Sequence, residues 1–435
     1  MKRILMVMAL AAACICANAQ VKSASAASSA LQKAKEDTEN PKKNTKFTTW
    51  MKYGQALVNA YDSPYGNGWI GASRQDLQLL NNEKPLSSEQ VVLGGEQLVK
   101  EVYPTRNEYY NGAGLLSMVE ITKPIVEDAL PQAAAAYAKA GELDPKCSKA
   151  KDIKAALKSI GTKLVEKAYA SYTLGDYKQA SVDFENAALA VSYAPLSEID
   201  SNSVYNAGFT AWFVGDNERA KKFFNECLKF GYYSEDGEVY SKLADIATKE
   251  GKGEESKDIL EEGFKKFPQS QSILVGLINY YVSSNGSTDR LFELLGEAKK
   301  NEPNNASLYY VEGNICEKLG LTEKAIESYR QCAKIDPNYA YGYIGEGILY
   351  YNLALKYQEE AQNEMNDAKY RALIQEFEET LKNCIPAFES ALELVDDQAT
   401  RQGVAEYLKN ACFRFRTDDE YAEKYKKYEA MMAGN

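Results

Sequence analysis

Gly66-Asn67-Gly68-Trp69-Ile70-Gly71 has the spacing of a loop that cradles a dinucleotide pyrophosphate. That chemistry needs a strand before the loop and a helix after it, so that the glycines admit the phosphates to a helix N-terminus. Asp62-Ser63-Pro64-Tyr65 does not read as a strand, so the loop is not expected to bind a nucleotide. Trp69 is left as a side chain suited to contacting a partner. The chain has no histidine, which removes Ser-His-Asp and Cys-His nucleophiles and zinc sites built on histidine. No Gly-Lys-Ser/Thr phosphate loop is present. Carboxylate pairs of the kind that hydrolyse glycosides could be drawn from 62 acidic residues, but nothing singles one pair out. The residues therefore argue against an enzyme, and no cofactor or metal is expected.

The elements that must position any functional side chain form a helical repeat. Pro268, Pro303 and Pro337 close successive helical runs 35 and 34 residues apart. The best copy contains Tyr309, Gly313, Leu319-Gly320, Ala325, Tyr329, Cys332 and Pro337. Gly54, Gly208, Gly313 and Gly347 mark the close approach of two helices. Ala180, Ala220 and Ala325 are expected to face them, while Tyr137, Phe184, Phe224 and Tyr329 fill the space toward the next unit. A fixed period of this size implies helical hairpins stacked on their neighbours. The first hairpin reads as split, with residues 46–61 and 127–145 as its halves. Residues 62–126 form an insert, in which Asn111-Gly112-Ala113-Gly114 signals a β-hairpin and Ser88 starts a short helix. Five repeats then cover 147–337. A seventh covers 338–398 with a helical extension over 356–379, and 399–435 supplies capping helices. Residues 20–45 read as a linker with a short helix over Ala24–Asp37.

The first residues read as a secretion signal. Lys2 and Arg3 precede an apolar run from Ile4 to Cys16, and Ala17-Asn18-Ala19 offers a small-x-small cleavage site before Gln20. An exported protein, periplasmic or secreted, is expected, with acylation at Cys14 as the alternative. Loss of residues 1–19 would take the net charge from −11 to −13, which disfavours nucleic acid and anionic membranes. No later segment is apolar enough to span a bilayer. Six cysteines remain beyond the signal: Cys147, Cys227, Cys316, Cys332, Cys384 and Cys412. Several occupy alanine-like slots, so buried free thiols are expected. A Cys316–Cys332 bridge is the alternative that export permits.

On Trp50 with Tyr53-Gly54, Leu319-Gly320 with Ala325 and Tyr329, and Ala340 with Tyr343 and Gly347, the chain resembles the tetratricopeptide repeat (TPR) family. The resemblance covers most of residues 46–395 and implies an all-α fold. The fold would be a TPR-type α-α superhelix, or solenoid, of about seven helical hairpins, with a small inserted β-hairpin-containing segment in the first repeat. It also implies that the first helices line a concave groove that binds proteins or peptides. On that frame the groove carries Tyr169, Tyr172, Tyr205, Phe209, Trp212, Phe213, Tyr280, Tyr310, Tyr341 and Tyr351, with Asp245, Lys249, Asn314 and Glu317 as polar neighbours. The insert offers Trp69, Tyr109 and Tyr110 as a second contact. The family's lysine-and-asparagine clamp for chaperone C-termini corresponds to Tyr310 and Asn314, or Tyr205 and Phe209, and is not matched because the lysine is absent. The implied function is a non-enzymatic scaffold in the cell envelope that binds a protein or peptide through aromatic side chains. Carbohydrate or small-ligand binding by the same aromatics is the alternative, and an architectural link through the convex face is a third.

Overall fold

The computed structural model describes residues 21–283 and 289–432. The expected signal segment and its Cys14 lie outside the described residues. The chain divides into two compact units after Tyr232.

Unit 1 begins with α1 (Ala24–Glu39) and α2 (Phe47–Tyr65). An inserted module follows: α3 (Arg74–Asn81), β1 (Ser87–Leu93), β2 (Glu96–Val102), β3 (Arg106–Tyr110) and β4 (Leu116–Ile121). Helices α4 (Ala129–Glu142), α5 (Ala150–Thr173), α6 (Tyr177–Ser192), α7 (Ser201–Phe213) and α8 (Asn217–Lys229) complete the unit. Despite the insert, α2 packs on α4 as one hairpin. A Cβ added to Gly54 would lie 2.8 Å from the Tyr137 ring. The next turns show how the sequence sets hairpin geometry. Gly175 and Gly215, at φ +84° and +78°, end one helix in a conformation that disfavours a Cβ. Asp176 and Asp216 follow at once, and each carboxylate accepts from a backbone N–H of the next helix, that of Gln179 and Arg219.

The insert is a four-stranded antiparallel meander in the order β1-β2-β3-β4. The hairpin expected around Asn111–Gly114 is β3–β4, with the Asn111 side chain accepting from the Ala113 and Leu115 amides. The helix expected at Ser88 is instead β1 and β2, joined through Gly94 and Gly95, both at positive φ. Helix α2 runs to Tyr65, past the expected end at Tyr61. One sheet face packs Tyr110, Leu116 and Val119 on Tyr65 and Leu77, and the other packs Leu98, Tyr109 and Met118 on Ala170. All five residues of β3 are buried, charges included. Arg106 Nε donates to Glu108 Oε1 at 2.6 Å, its Nη2 lies 3.0 Å from Glu83, and its guanidinium sits over the Tyr103 ring. The Tyr110 hydroxyl also donates to Glu108, while Glu101 accepts from Tyr103 and pairs with Arg74. Buried charges need opposite charges close by, and the pairing here is ionic at Arg74 Nε and Arg106 Nη2, which make no hydrogen bond.

Unit 2 contains α9 (Glu238–Lys249), α10 (Gly253–Lys266), α11 (Gln271–Ser283), α12 (Asp289–Asn301), α13 (Ala306–Lys318) and α14 (Thr322–Ile335). It closes with α15 (Ala340–Gln362), α16 (Asp367–Leu394), α17 (Gln398–Arg414) and α18 (Asp419–Met432). The packing again runs glycine against ring. A Cβ on Gly347 would lie 2.7 Å from Phe388, and Gly313 meets Tyr329. The aromatics, not the alanines, therefore sit directly over the glycines. Tyr329 also touches Gly345 of the following hairpin, so a single ring keys two hairpins together.

The six described cysteines are free, so the Cys316–Cys332 alternative is not formed. Five are buried as expected; Cys147 is exposed, on a loop residue at φ +50°. Burial pushes the Cys227, Cys332 and Cys384 thiols up to about 12 and those of Cys316 and Cys412 up to about 11. Because the thiolate is the nucleophile, a raised pKa slows alkylation at neutral pH. Iodoacetamide at pH 8 should thus label Cys147 of the folded protein and all six sites only after unfolding. Peptide mapping that finds Cys332 or Cys384 labelled as fast as Cys147 would contradict this burial.

Candidate functional site

The candidate residues form two ring groups in unit 1 and one in unit 2. In unit 1, the Tyr172 ring meets Tyr177 edge-on at 5.2 Å, and Tyr177 meets Phe213 at 4.6 Å. Tyr205 stacks on Phe209 at 6.1 Å, and Phe209 lies 5.9 Å from Trp212. Behind them a fully buried carboxylate fixes α6 to α5. Asp183 accepts from Lys167 Nζ at 2.7 Å, Ser171 Oγ at 3.0 Å and Gln179 Nε2 at 3.1 Å. Phe213 is exposed, Tyr172, Phe209 and Trp212 are partly buried, and Tyr205 is buried. Tyr169 packs edge-on against Phe184 at 5.2 Å and belongs more to the interior than to the surface.

In unit 2, Tyr310, Tyr339 and Tyr341 form a triangle with ring centroids 5.6–6.2 Å apart. Tyr329 lies beneath, 6.0 Å from Tyr310. Its hydroxyl is within hydrogen-bonding reach of Asn314 Oδ1 at 2.8 Å and Glu317 Oε2 at 3.0 Å. Burial, with the Glu317 charge next, raises its pKa and keeps it a protonated donor. Asn314 thus braces the floor of the cluster. Tyr341, at 50% exposed, is its open face.

The remaining candidates are dispersed. Tyr280 lies in a polar groove with Tyr281, Glu254, Asp258 and Glu261, where Lys257 and Arg290 already pair with Glu254 and Glu261. Asp245 and Lys249 pair with each other at 2.7 Å. Tyr351 is packed edge-on by Tyr407 of α17, 5.0 Å away, so the capping helix covers it. In the insert, Trp69 is 48% exposed, whereas Tyr109 and Tyr110 are 3% and 0% exposed and serve the sheet's interior. The glycine-rich loop follows helix α2, and its Asn67 side chain accepts from the Val21 amide. It ties down the backbone just before helix α1. The sequence reading missed Tyr177 and Tyr339. Both stand at helix starts, beside turns already recognised, and that position is the signal that could have found them. Among the described residues no group of three or more histidine, cysteine or acidic side chains could hold a metal.

The model of the tetratricopeptide repeat family matches residues 201–230 and 306–339. These are α7–α8 and α13–α14, the hairpins that carry Tyr205 and Tyr310. Residues 201–230 and 306–339 are tetratricopeptide repeats. No curated protein sequence matches it. Among solved structures, similar TPR chains include a TPR repeats protein from Bacteroides fragilis, at 16% identity over 62% of this chain and 98% of that one, TM-score 0.25. Yeast Tom70 aligns at 12% identity over 92% and 89%, TM-score 0.33. YrrB, described as a TPR protein with an unusual peptide-binding site, aligns at 16% identity over 48% and 96%, TM-score 0.25. The two matched segments carry Tyr205, Phe209, Trp212, Tyr310 and Tyr339, and Tyr341 lies just beyond the second. No helix among the described residues is long and apolar enough to cross a membrane.

Proposed function

We propose that this chain is a non-enzymatic scaffold that binds a segment of a partner protein, with Tyr310, Tyr339 and Tyr341 as its principal contact. The carrying observation is that cluster: an exposed Tyr341 ring on a buried Tyr329 floor braced by Asn314 and Glu317. Tyrosines held in this way bury a large amphipathic area on binding and lose little conformational freedom. The Tyr205–Phe209–Trp212 group supplies a second contact of the same chemistry. The reading includes export to the envelope. It is supported by Lys2-Arg3, the apolar run and Ala17-Asn18-Ala19, so the captured protein is expected to start at Gln20.

The test is quantitative cross-linking in intact cells with the tagged protein, followed by mapping of linked lysines. Partner peptides joined through lysines of the α13–α14 hairpin, such as Lys318 and Lys334, are expected. Tyr341→Ala with Tyr310→Ala should reduce their recovery by about tenfold or more, with helicity unchanged by circular dichroism. Equal recovery from the variant would remove the cluster from the binding surface. Loss of every protein cross-link in favour of a glycan ligand would replace the reading.

A further inference from the structure

The insert leaves one face of its sheet half covered. Gln90 pairs with Val99, and Val99 pairs with Tyr110, so the three share a face. Alternation along β1 adds Ser88 and Val92 to it, with Leu86 just before the strand in the same phase. Helices α2 and α3 cover the Tyr110 end of that face through Tyr65 and Leu77. They stop short of β1. Val92 is 66% exposed, Leu86 is 70% exposed, and Ser88 and Gln90 are exposed as well.

β1 is also an edge strand, with β2 as its one neighbour in the sheet. Proteins usually protect such an edge with lysine, proline or a bulge. Residues 87–93 contain no lysine or proline, and their seven-residue register with β2 is unbroken. The strand's one charge, Glu89, is paired with Lys100 of β2 at 3.3 Å.

We infer that β1 pairs antiparallel with β1 of a second copy of this chain, about a two-fold axis through Gln90. The strand is complementary to itself in that register. Ser88 meets Val92 of the partner copy, Glu89 meets Val91, and no like charges are opposed. Leu86 falls beside the compact Gly94-Gly95 turn. Pairing continues the meander into an eight-stranded sheet and brings the two open apolar faces together, so one symmetric contact covers both the edge and the face. A second copy is favoured over a foreign peptide because the exposed edge, the open apolar face and the self-complementary register all belong to the same short stretch, residues 86–95.

Sedimentation velocity on the purified protein over a range of concentrations tests this. A reversible dimer is expected. Gln90→Lys places two like charges across the axis at an exposed position, and should weaken the dimer at least about fivefold. Gln90→Glu should do the same. An equimolar mixture of the two variants should dimerise again, which a merely misfolded variant cannot do. A wild-type monomer throughout, or a dimer indifferent to both substitutions, would overturn the inference. Gln90→Cys in a Cys147→Ser background should also form a symmetric disulfide under oxidation.

Discussion

Tyr329→Ala is expected to destabilise unit 2 by about 3–5 kcal/mol, the range for removing a large buried aromatic. The ring is fully buried, and its neighbours cannot close the gap. Gly313 and Gly345 contribute no side chains to collapse into it, and a Cβ on Gly345 would already lie 2.5 Å from the ring. The substitution therefore opens a cavity between two hairpins and strips Asn314 and Glu317 of their hydroxyl donor. Tyr329→Phe keeps the ring and should cost only about 1 kcal/mol, the worth of one hydrogen bond. Each unit of a stack couples to its neighbours alone. The loss should appear as faster amide exchange concentrated in α13–α15, with α5–α8 little changed. A Tyr329→Ala protein within about 1 kcal/mol of wild type would show that the keyed-ring packing is incorrect.

Glu108→Ala should cost about 3 kcal/mol, at the lower end for breaking a buried ion pair. The Glu108 and Arg106 side chains are 3% and 4% exposed, so truncating the acid leaves a guanidinium in the interior with only Glu83 opposite it. The Tyr110 hydroxyl loses its acceptor at the same time. The paired change Glu108→Leu with Arg106→Met removes both charges and should recover a good part of the loss, since an apolar replacement leaves no ion unpaired. Exchange protection at β3 and β4 reports the effect directly. Equal destabilisation by the single and paired changes would mean that packing, and not charge, holds β3 in place.

These two sites also show what the sequence disclosed. The repeats were legible because glycine, alanine, an aromatic and proline recur at fixed spacing, and each has a steric reason to be there. Phe388 over Gly347 follows the same rule as Tyr137 over Gly54. The insert was less legible. Residues 88–103 contain Glu89, Gln90, Glu96 and Lys100, which suit a helix as well as a strand, and the Gly94-Gly95 turn was the overlooked sign of a hairpin. β3 reads Arg-Asn-Glu-Tyr-Tyr, without the apolar alternation that marks a buried strand, because Arg106 pairs with Glu108 and Glu83 and the Asn107 amide donates to Glu120. Glu83 and Glu120 lie outside the strand, and the rings of Tyr109 and Tyr110 are covered by Ala170 and by Tyr65 and Leu77, contacts that no local pattern reveals. The aromatic candidates were visible as residues, but their grouping was not. Which rings meet depends on helix ends such as Tyr177 and Tyr339.

The division of the first hairpin has a kinetic consequence. In the other hairpins a helix meets its mate across a turn of a few residues, so the contact forms almost as soon as the chain is made. Between Tyr65 and Ala129 the whole sheet module intervenes. Closing so long a flexible loop costs about 3 kcal/mol more than closing a tight turn, and raises the local contact order. Once the sheet has folded, its fixed ends remove most of that entropy. The module therefore acts as a clasp for its own repeat: α2 reaches α4 more readily once the strands have paired.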